Sequence, residues 1–472
     1  MTGTTHLTIW HDDDCRRLHE ATLALLAEVG VEVMYEPALE RYRAAGCSVE
    51  GRRVRIPGRL VDEALKSAPR EWLLRPRGGD TEPLRLRDGE MYFGTGSDVL
   101  YTRDLETGER RRARLADVES QAALCEHLPN IDFVMSMGMP EDVPRELDDI
   151  ASVAAMLRGT RKPLIVAPRD GMVVARIRAM AELCGEAESV AIYSMPSPPL
   201  QHDADALTKV IACAELHVPL IYCPAPNAGA TGPRSVAGVV LVGNAETLSG
   251  LVLHQAVNAG APFVYGAGGA VMDMRAMTDP YTVPESFAAM HCCCDLARFY
   301  GLPSFSYAAC SDSKTLDEQW SAEAALTTLL GALSRATLLH DVGYLESGMQ
   351  GSHEAIVLGD ELAGYARAYV REAPVNEETL AFDEIKSVGP GGSFLGTKYT
   401  RQHHREFWRG DLFDHATHDR WAAGGGLTLK QRVQAKVARL CETPRPFCLS
   451  PEQEAGLEAI LAEVREHAEE RI

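Results

Sequence analysis

The sequence contains no CxxC pair among its 12 cysteines and no zinc-finger spacing. It also lacks an excess of positive charge, because 67 Asp and Glu outnumber 47 Lys and Arg and leave a net charge of −20. Such a chain repels phosphate backbones and anionic lipid, so neither nucleic acid nor a membrane surface is an expected partner. The absence of paired cysteines indicates reduced thiols and a cytoplasmic protein without a tightly bound metal.

No secretory signal is recognisable at the amino terminus, where three consecutive acids stand and an apolar core is missing. The stretch with the fewest charges, residues 235–272, has Glu246 as its only charged residue. Asn, His, Gln and many Gly residues interrupt it. We therefore expect a buried helix followed by a strand, and no membrane span.

Short runs of β-branched and aromatic residues recur about eight times, each followed by a helical pattern. They begin near Met91, Ile131, Pro163, Val190, Pro219, Pro262, Pro303 and Thr337. Their spacing of roughly 27 to 43 residues is typical of βα repeats. The pattern predicts an α/β fold, a (β/α)8 TIM barrel over residues 91–372. An open doubly wound sheet is the alternative, although its GxGxxG signal is missing.

Both ends of the chain carry additions to this barrel. Residues 1–90 predict an amino-terminal α+β addition that includes a helix at 15–29. Residues 373–472 predict a carboxy-terminal extension that packs on the barrel, with a glycine-rich loop at 389–392.

In a barrel, the residues that end each strand are the candidates for chemistry. The segment SDSKTLD places Asp312 and Lys314 on one such loop. Lys314 could form a Schiff base or bind a carboxylate. The alternative is a helix start, with Ser313 or Thr315 as the cap and Asp312 paired to Lys314.

The segment HDVGYLESG places four polar side chains within seven residues, His340, Asp341, Tyr344 and Glu346, enough for acid–base chemistry. The alternative is an inward Asp341 or His340 whose hydrogen bonds neighbouring strands satisfy. Together with Asp312, His340, Tyr344 and Glu346 are the catalytic candidates.

Tyrosines recur late in five of the runs, although aromatic residues make up only 6% of the chain. They are Tyr193, Tyr222, Tyr265, Tyr307 and Tyr344. A ring of such side chains would suit a quaternary ammonium, which aromatic faces attract through cation–π interaction. Ordinary packing is the alternative for each, because tyrosine is a favoured strand residue.

Two clusters could suggest a metal site: the triplet at residues 292–294, next to His291, and the pair His403 and His404. Successive residues of a helix point about 100° apart and cannot all face one ion. We predict core thiols for the triplet, a surface or interface loop for the histidine pair, and no metal.

Six blocks of the chain, in order, resemble the trimethylamine methyltransferase family, in its non-pyrrolysine branch. They are VRIPGRLVDEALKSAP from 54, GPRSVAG from 232, AETLSGLVLHQ from 245, GLPSFSYAACSDSKTLDEQWSAE from 301, HDVGYLESG from 340 and ETLAFDEIKSVGPGGSFLGTKYT from 378. The resemblance implies a (β/α)8 barrel that moves a methyl group from an amine to the cobalt of a separate corrinoid protein. Members that act on trimethylamine carry pyrrolysine, which this chain lacks, so the resemblance implies a quaternary amine such as glycine betaine, proline betaine or carnitine.

For that reaction we expect Tyr222, Tyr265, Tyr307 and Tyr344 to form the cage, with Lys314 or Arg275 as the carboxylate anchor. The expected contacts with the corrinoid are Ser97, Asn227 and Gly266, at the ends of strand runs. A DxHxxG-type motif is missing, so the cobalamin or other corrinoid should arrive on a partner protein rather than be held tightly here.

Three further expectations follow. We expect a homo-oligomer, because large enzymes of this kind are often symmetric. A second interpretation is a barrel lyase or aldolase with Lys314 as the Schiff-base nucleophile. A third is a betaine-binding subunit that retains the barrel without turnover.

Overall fold

The computed structural model describes residues 5–79, 81–266 and 268–469, so residues 1–4 and 470–472 of the two predicted additions lie outside the described residues. The strands, numbered in chain order, are β1 (Val31–Val33), β2 (Ser48–Glu50), β3 (Arg53–Arg55), β4 (Trp72–Leu74), β5 (Leu84–Leu86), β6 (Tyr92–Thr95), β7 (Tyr101–Arg103), β8 (Arg110–Arg112), β9 (Leu164–Val166), β10 (Val190–Ser194), β11 (Gln201–His202), β12 (Leu220–Tyr222), β13 (Asn227–Ala228), β14 (Phe263–Gly266), β15 (Ala270–Val271), β16 (Ser304–Tyr307), β17 (Leu338–Val342), β18 (Tyr344–Leu345) and β19 (Gln350–Gly351). The helices are α1 (Asp12–Glu28), α2 (Glu36–Ala45), α3 (Gly58–Ser67), α4 (Leu115–Glu126), α5 (Asp148–Gly159), α6 (Val174–Leu183), α7 (Ala204–Leu216), α8 (Val236–Val257), α9 (Pro284–Tyr300), α10 (Glu318–Ser334), α11 (His353–Val370), α12 (Glu377–Leu380), α13 (Phe382–Val388), α14 (Lys398–His403), α15 (His418–Ala423), α16 (Leu429–Glu442) and α17 (Pro451–Glu469).

A curled sheet of seven parallel strands organises the fold. Its order is β6, β17, β16, β14, β12, β10 and β9, and neighbouring strands are hydrogen-bonded in parallel. Each of these strands lies in one of the predicted runs, and helices connect them. The α/β class and seven of the eight predicted strands are therefore confirmed.

The eighth predicted run, which begins near Ile131, forms only isolated parallel bridges. Gly94 pairs with Phe133, and Val134 pairs with Leu164. A side chain interrupts the regular ladder here, because the Asp132 carboxylate accepts a hydrogen bond from the Phe93 backbone N–H at 2.7 Å. This segment therefore bridges β6 and β9, the two edges of the seven-stranded sheet.

Polar caps fix where the long helices begin, because a side-chain oxygen satisfies a backbone N–H that has no partner within the helix. Asp203 caps α7, Ser235 caps α8 and Ser352 caps α11. Asp317 caps α10 through the Trp320 N–H at 3.0 Å, while the Ser313 and Thr315 hydroxyls donate to its carboxylate. The predicted helix start after SDSKTLD is therefore correct, but its cap is Asp317.

Helix α8 is long and apolar enough to cross a membrane, yet 78% of its apolar window is buried inside the structure. It packs against α1, α3, α7 and α9, and β14 follows it along the chain. The predicted buried helix followed by a strand is therefore confirmed.

Two apolar clusters fill the fold. The larger lies between the sheet and its helices and includes the buried Cys292, Cys293 and Cys294 of α9, so the prediction of core thiols is confirmed. The smaller fills the inside of the curled sheet with residues such as Phe133, Ile165 and Val264.

A β-hairpin from the amino-terminal region closes one end of this interior. Strands β4 and β5 pair antiparallel, with Trp72 opposite Leu86 and Leu74 opposite Leu84. The three leucines belong to the same inner cluster as Leu338, near the start of β17. The hairpin therefore seals the end at which the sheet strands begin, and it leaves the opposite end for chemistry.

Candidate active site

Three aromatic rings meet inside the sheet, near the carboxyl ends of β10, β16 and β17. Tyr193 lies 5.2 Å from Phe305 and 6.1 Å from His340, measured between ring centroids. Phe305 stacks on His340 at 4.1 Å with 10° between the ring planes. Parallel strands end at the same edge of their sheet, so residues far apart in sequence come together here.

Asp341 stands beside these rings in an unusual backbone conformation. Its φ of 72° is left-handed, and it lies where the pairing of β17 with β6 shifts register. The side chain is 3% exposed, and its Oδ1 atom has no hydrogen-bond partner within the described ranges. His340 Nδ1 lies within ion-pair distance of this oxygen, at 2.5 Å, although neither atom forms a hydrogen bond within the described ranges. Strained backbone and an unsatisfied buried oxygen are both costly, and they concentrate at functional sites.

Four phenols lie near the carboxyl group of Asp341. They belong to Tyr193, Tyr281, Tyr307 and Tyr344. Tyr344 is buried, and Tyr193, Tyr281 and Tyr307 are partly buried with protein on most sides. This burial raises the pKa of each phenol well above its usual value, and the charge of the nearby carboxylate adds to the shift of each. The phenols are therefore protonated at neutral pH and present uncharged aromatic faces.

Backbone carbonyls hold two of these tyrosines in place. The Tyr307 hydroxyl donates to the Tyr281 carbonyl oxygen at 3.1 Å, and the two rings lie 6.2 Å apart. The Tyr344 hydroxyl donates to the Ser97 carbonyl oxygen. A side chain at Gly96 would overlap the Tyr344 ring, so glycine is required at that position.

A cavity of about 360 Å³ opens beside Tyr193. The loops that follow β6, the Ile131 run, β9 and β10 form its walls, which include Asp98, Ser136, Pro168 and Met195. Its volume is within the range of small-molecule sites. Its position at the carboxyl ends of the strands matches that expected for the active site of such a fold.

Asp98 is a titratable residue in the wall of this cavity. Solvent reaches the side chain through the opening, but the surrounding protein limits its hydration. This desolvation raises the pKa of Asp98 to about 6, against a weaker opposing effect of its hydrogen bonds to the Ser97 and Ser136 side chains. The Asp98 carboxylate therefore changes charge near neutral pH.

The four predicted catalytic residues do not all lie at one site in the structure. His340 and Tyr344 lie at the site. The Asp312 carboxylate accepts from the Tyr281 and Thr282 backbone N–H groups at 2.8 and 3.0 Å, so it holds that loop rather than facing the cavity.

Glu346 is also engaged elsewhere, since Arg110 donates to both of its oxygens at 2.8 and 3.0 Å. This ion pair joins β8 to the turn after β18. For Asp312 and Glu346, the structure therefore indicates a role in holding loops, and the sequence-based catalytic assignment is corrected.

The predicted cage is only partly formed by the residues expected. Tyr222 points to the helices, where its hydroxyl lies 2.6 Å from His202 Nδ1. Tyr265 also points outward and donates to Asn244 Oδ1 at 2.7 Å. These two tyrosines do not face the interior, so the cage prediction is corrected for them, and ordinary packing accounts for both.

Neither predicted carboxylate anchor reaches the cavity. Lys314 is exposed, and its Nζ donates to the Asp312 carbonyl oxygen at 2.8 Å. Arg275 is exposed on the loop after β15, a different part of the surface from the walls of the cavity. The predicted pairing of Asp312 with Lys314 exists only through the backbone oxygen. This placement gives no support to a Schiff-base nucleophile at Lys314.

The three residues predicted to contact a corrinoid differ in their surroundings. The Ser97 side chain is hydrogen-bonded to Asp98, which lines the cavity, whereas Asn227 begins a short strand pair formed by β13 and β15. The buried Oδ1 of Asn227 has no hydrogen-bond partner among the residues described. Gly266 approaches the backbone of Cys223 so closely that a side chain would not fit, which is a packing requirement.

The sequence pointed to three further site residues without giving them a role in the reaction. Tyr193 is one of the recurring tyrosines, Asp341 belongs to the segment HDVGYLESG, and Asp98 is a polar residue at the end of a strand run. Tyr281 stands in the loop before α9, and no sequence pattern marks it. Within the described ranges, no cluster of three or more His, Cys, Asp or Glu side chains is placed to hold a metal ion.

Comparison with known proteins identifies the family. The sequence profile described as Trimethylamine methyltransferase (MTTB) matches residues 2–468. The chain belongs to this family. The resemblance inferred from the six sequence blocks is therefore confirmed, and the protein is a methyltransferase.

Members of the trimethylamine methyltransferase family match almost the whole chain. A glycine betaine methyltransferase of Desulfitobacterium hafniense (strain Y51) is 34% identical over 463 residues, which cover 96% of each chain. The trimethylamine methyltransferase MttB of Methanosarcina barkeri (strain Fusaro / DSM 804) is 30% identical and covers 91% of this chain and 90% of its own.

A solved structure shares the fold. The monomethylamine methyltransferase MtmB of Methanosarcina barkeri matches with a TM-score of 0.53 at 12% identity, over 99% of this chain and 90% of that one. The α/β architecture is therefore shared with a methylamine methyltransferase, although at this identity the likeness concerns the fold alone.

Proposed function

We propose that this methyltransferase moves a methyl group from a quaternary amine to Co(I) of a corrinoid held by a separate protein. The amine is of the glycine betaine, proline betaine or carnitine type. The main observation behind this proposal is the group of four uncharged phenols near the Asp341 carboxyl group, one of which, Tyr193, lines a cavity of about 360 Å³. The 34% identical relative named as a glycine betaine methyltransferase supports the same substrate class.

A quaternary ammonium matches this site in its chemistry. It has no N–H to donate, so it is recognised by aromatic faces and by negative charge rather than by hydrogen bonds. The Asp341 oxygen that accepts no hydrogen bond would attract that positive charge, and a cation would offset the cost of burying a carboxylate. A tertiary amine such as trimethylamine is not expected, because the chain has no pyrrolysine.

The chain would catalyse the reaction mainly by positioning. Tyr193, held in place by the neighbouring rings of Phe305 and His340, would contact one side of the ammonium, remove its water and help to aim one methyl group at the open end of the interior. As the C–N bond breaks, its electron pair stays on nitrogen, so the positive amine leaves as a neutral tertiary amine. No general base is required for this step. A corrinoid, when bound, supplies the nucleophilic cobalt that accepts the methyl group.

The cavity suits the amine but not an enclosed corrinoid, which is far larger than a site of this volume. We therefore expect the cofactor to meet the site from outside, on its own protein, with Ser97 at the contact rim.

We also propose that the Ile131 run closes the curled sheet into an eight-stranded (β/α)8 barrel, since its bridges reach both β6 and β9. In this arrangement residues 91–372 form the barrel, with additions at 1–90 and 373–472. A closed barrel would surround the inner cluster on all sides.

We further expect a homo-oligomer in the cytoplasm. Large apolar side chains of the carboxy-terminal extension are strongly exposed, with Val375 at 82%, Leu395 at 88% and Phe407 at 81%. Contact between two copies of the chain would remove such side chains from water, which favours association. Sedimentation analysis of the purified protein tests this expectation, and a monomer at micromolar concentration would contradict it.

The proposed activity is tested with purified protein and a corrinoid protein reduced to Co(I). Glycine betaine, proline betaine, carnitine and trimethylamine are added in turn, and the visible spectrum reports consumption of Co(I). We expect reaction with at least one betaine and none with trimethylamine. Silence with every amine, beside a corrinoid protein that accepts methyl from another methyltransferase, would contradict the proposal. Calorimetric binding without turnover would then indicate the betaine-binding subunit.

Variants of Tyr193 test the cage itself. Tyr193→Leu removes the aromatic face, and a cation–π contact of about 0.5 to 2 kcal/mol corresponds to a KM increase of roughly 2- to 30-fold. Tyr193→Phe keeps the face and should stay near wild type. Tyr369→Leu, at a 58% exposed tyrosine far from the cavity walls, is the control. Equal KM values for the Leu and Phe variants of Tyr193 would argue against an aromatic cage.

A further inference from the structure

Three cationic side chains line the cavity: Arg145, Arg169 and Lys209. A betaine carries a carboxylate as well as an ammonium, so one of these cations is a candidate for binding it. The two anchors expected from the sequence, Lys314 and Arg275, do not line this cavity.

Two of the three cations are already engaged. Arg169 Nη2 contacts both oxygens of Asp148 at 3.0 and 3.1 Å and donates to the Arg145 carbonyl oxygen at 2.6 Å. Lys209 is buried, and its Nζ donates to the Pro168 carbonyl oxygen at 2.9 Å. Binding a substrate carboxylate through either side chain would require breaking these contacts.

Arg145 differs from both. Its side chain is exposed to the cavity opening, and no ion pair or hydrogen bond of its guanidinium is found in the described part of the chain. The Arg169 hydrogen bond to its carbonyl oxygen fixes the backbone at that point. A free guanidinium on a fixed backbone can bind a carboxylate through two parallel hydrogen bonds.

Other residues that line the cavity can attract a cation. Tyr193 offers an aromatic face, and Asp98 and Asp149 are carboxylates. A zwitterion therefore finds attraction for its ammonium at these walls and for its carboxylate at Arg145. A quaternary amine without a carboxylate would gain only the first of these attractions.

We propose that Arg145 is the carboxylate anchor, which makes this site selective for betaines over quaternary amines that have no carboxylate. This inference rests on the proposed function, and it adds the residue that sets the substrate class.

The test measures binding by calorimetry, independently of methyl transfer, with glycine betaine and with tetramethylammonium as a probe that has no carboxylate. Arg145→Met should weaken glycine betaine binding roughly 10- to 100-fold, the range expected for a lost charge-assisted pair. The Kd of tetramethylammonium should stay within about twofold of the wild-type value, since the cation–π attraction is unchanged. Arg145→Lys keeps the charge and should recover part of the loss.

Arg17→Met is the matched control, because it removes an exposed arginine of α1 outside the cavity. It should bind both ligands as the wild type does. The proposal is overturned if Arg145→Met binds glycine betaine normally, or if it loses both ligands equally while its thermal unfolding is unchanged. A wild-type protein that binds no quaternary amine would instead contradict the proposed function, so the two failures are distinguishable.

Discussion

Glu246 gives the sharpest prediction about the scaffold, because α8 buries this carboxyl group completely. The Leu200 backbone N–H donates to Oε1, whereas Oε2 has no hydrogen-bond partner among the described residues. Burial raises the pKa of Glu246 from its ordinary 4.5 to about 8, against a smaller lowering by the Leu200 hydrogen bond. The folded protein therefore holds this proton more tightly than the unfolded chain does.

The sign of the pH dependence follows directly. Between about pH 4.5 and 8 the folded state binds more protons than the unfolded state, so the free energy of unfolding falls as pH rises. One pKa unit is worth about 1.4 kcal/mol, so the loss between pH 6.0 and 8.5 should be about 2 to 3 kcal/mol. Glu246→Gln keeps an acceptor for the Leu200 N–H and removes the titration.

Urea unfolding at pH 6.0 and 8.5, followed by circular dichroism, measures the effect. We expect Glu246→Gln to gain stability relative to wild type by about 2 to 3 kcal/mol on going to the higher pH. Glu182→Gln, at an exposed glutamate of α6, makes the same change of charge and should gain nothing. Parallel pH dependences for wild type and Glu246→Gln would refute the reasoning.

Three further predictions concern the site, the packing and the interior. Asp98, whose pKa lies at about 6, should attract a cationic substrate only when ionised, so the wild-type KM should rise as pH falls through 6, while Asp98→Asn should show a high KM without that step. Gly250→Ala should cost about 1 to 3 kcal/mol in denaturant unfolding, because its Cβ would overlap the Tyr222 ring, whereas Gly396→Ala, in open space, should cost under about 0.5 kcal/mol. Leu86→Ala should cost about 2 to 5 kcal/mol by removing a buried side chain of the hairpin, and a smaller loss would mean that the inner cluster can collapse around the gap.

The sheet strands and long helices could be predicted because their signals are local. Proline fixes the beginning of several runs, and seven of the eight runs form strands of one parallel sheet. The structure of the run that begins near Ile131 was harder to predict. The Asp132 carboxylate, rather than a backbone carbonyl oxygen, accepts the hydrogen bond of the Phe93 N–H, and no pattern in the sequence indicates this.

The direction of the tyrosines could not be predicted for a related reason. Parallel strands are buried on both faces, so their sequences do not alternate between polar and apolar residues. A shift of one residue reverses the face, and this separates the outward Tyr222 from its inward neighbour Cys223. Tyr193 and Tyr222 look alike in sequence, yet one faces the interior and the other packs against α8.

The hairpin of Trp72–Leu74 and Leu84–Leu86 has a consequence for the order of events. The hairpin closes the end of the interior at which the sheet strands begin. Access to the interior is therefore from the carboxyl ends of the strands. In the proposed reaction the amine and the corrinoid protein must both approach from that side. The amine should therefore bind before the corrinoid protein does, and the demethylated product should be released only after the corrinoid protein has dissociated. This is a compulsory order, and excess corrinoid protein should slow turnover by blocking the entrance.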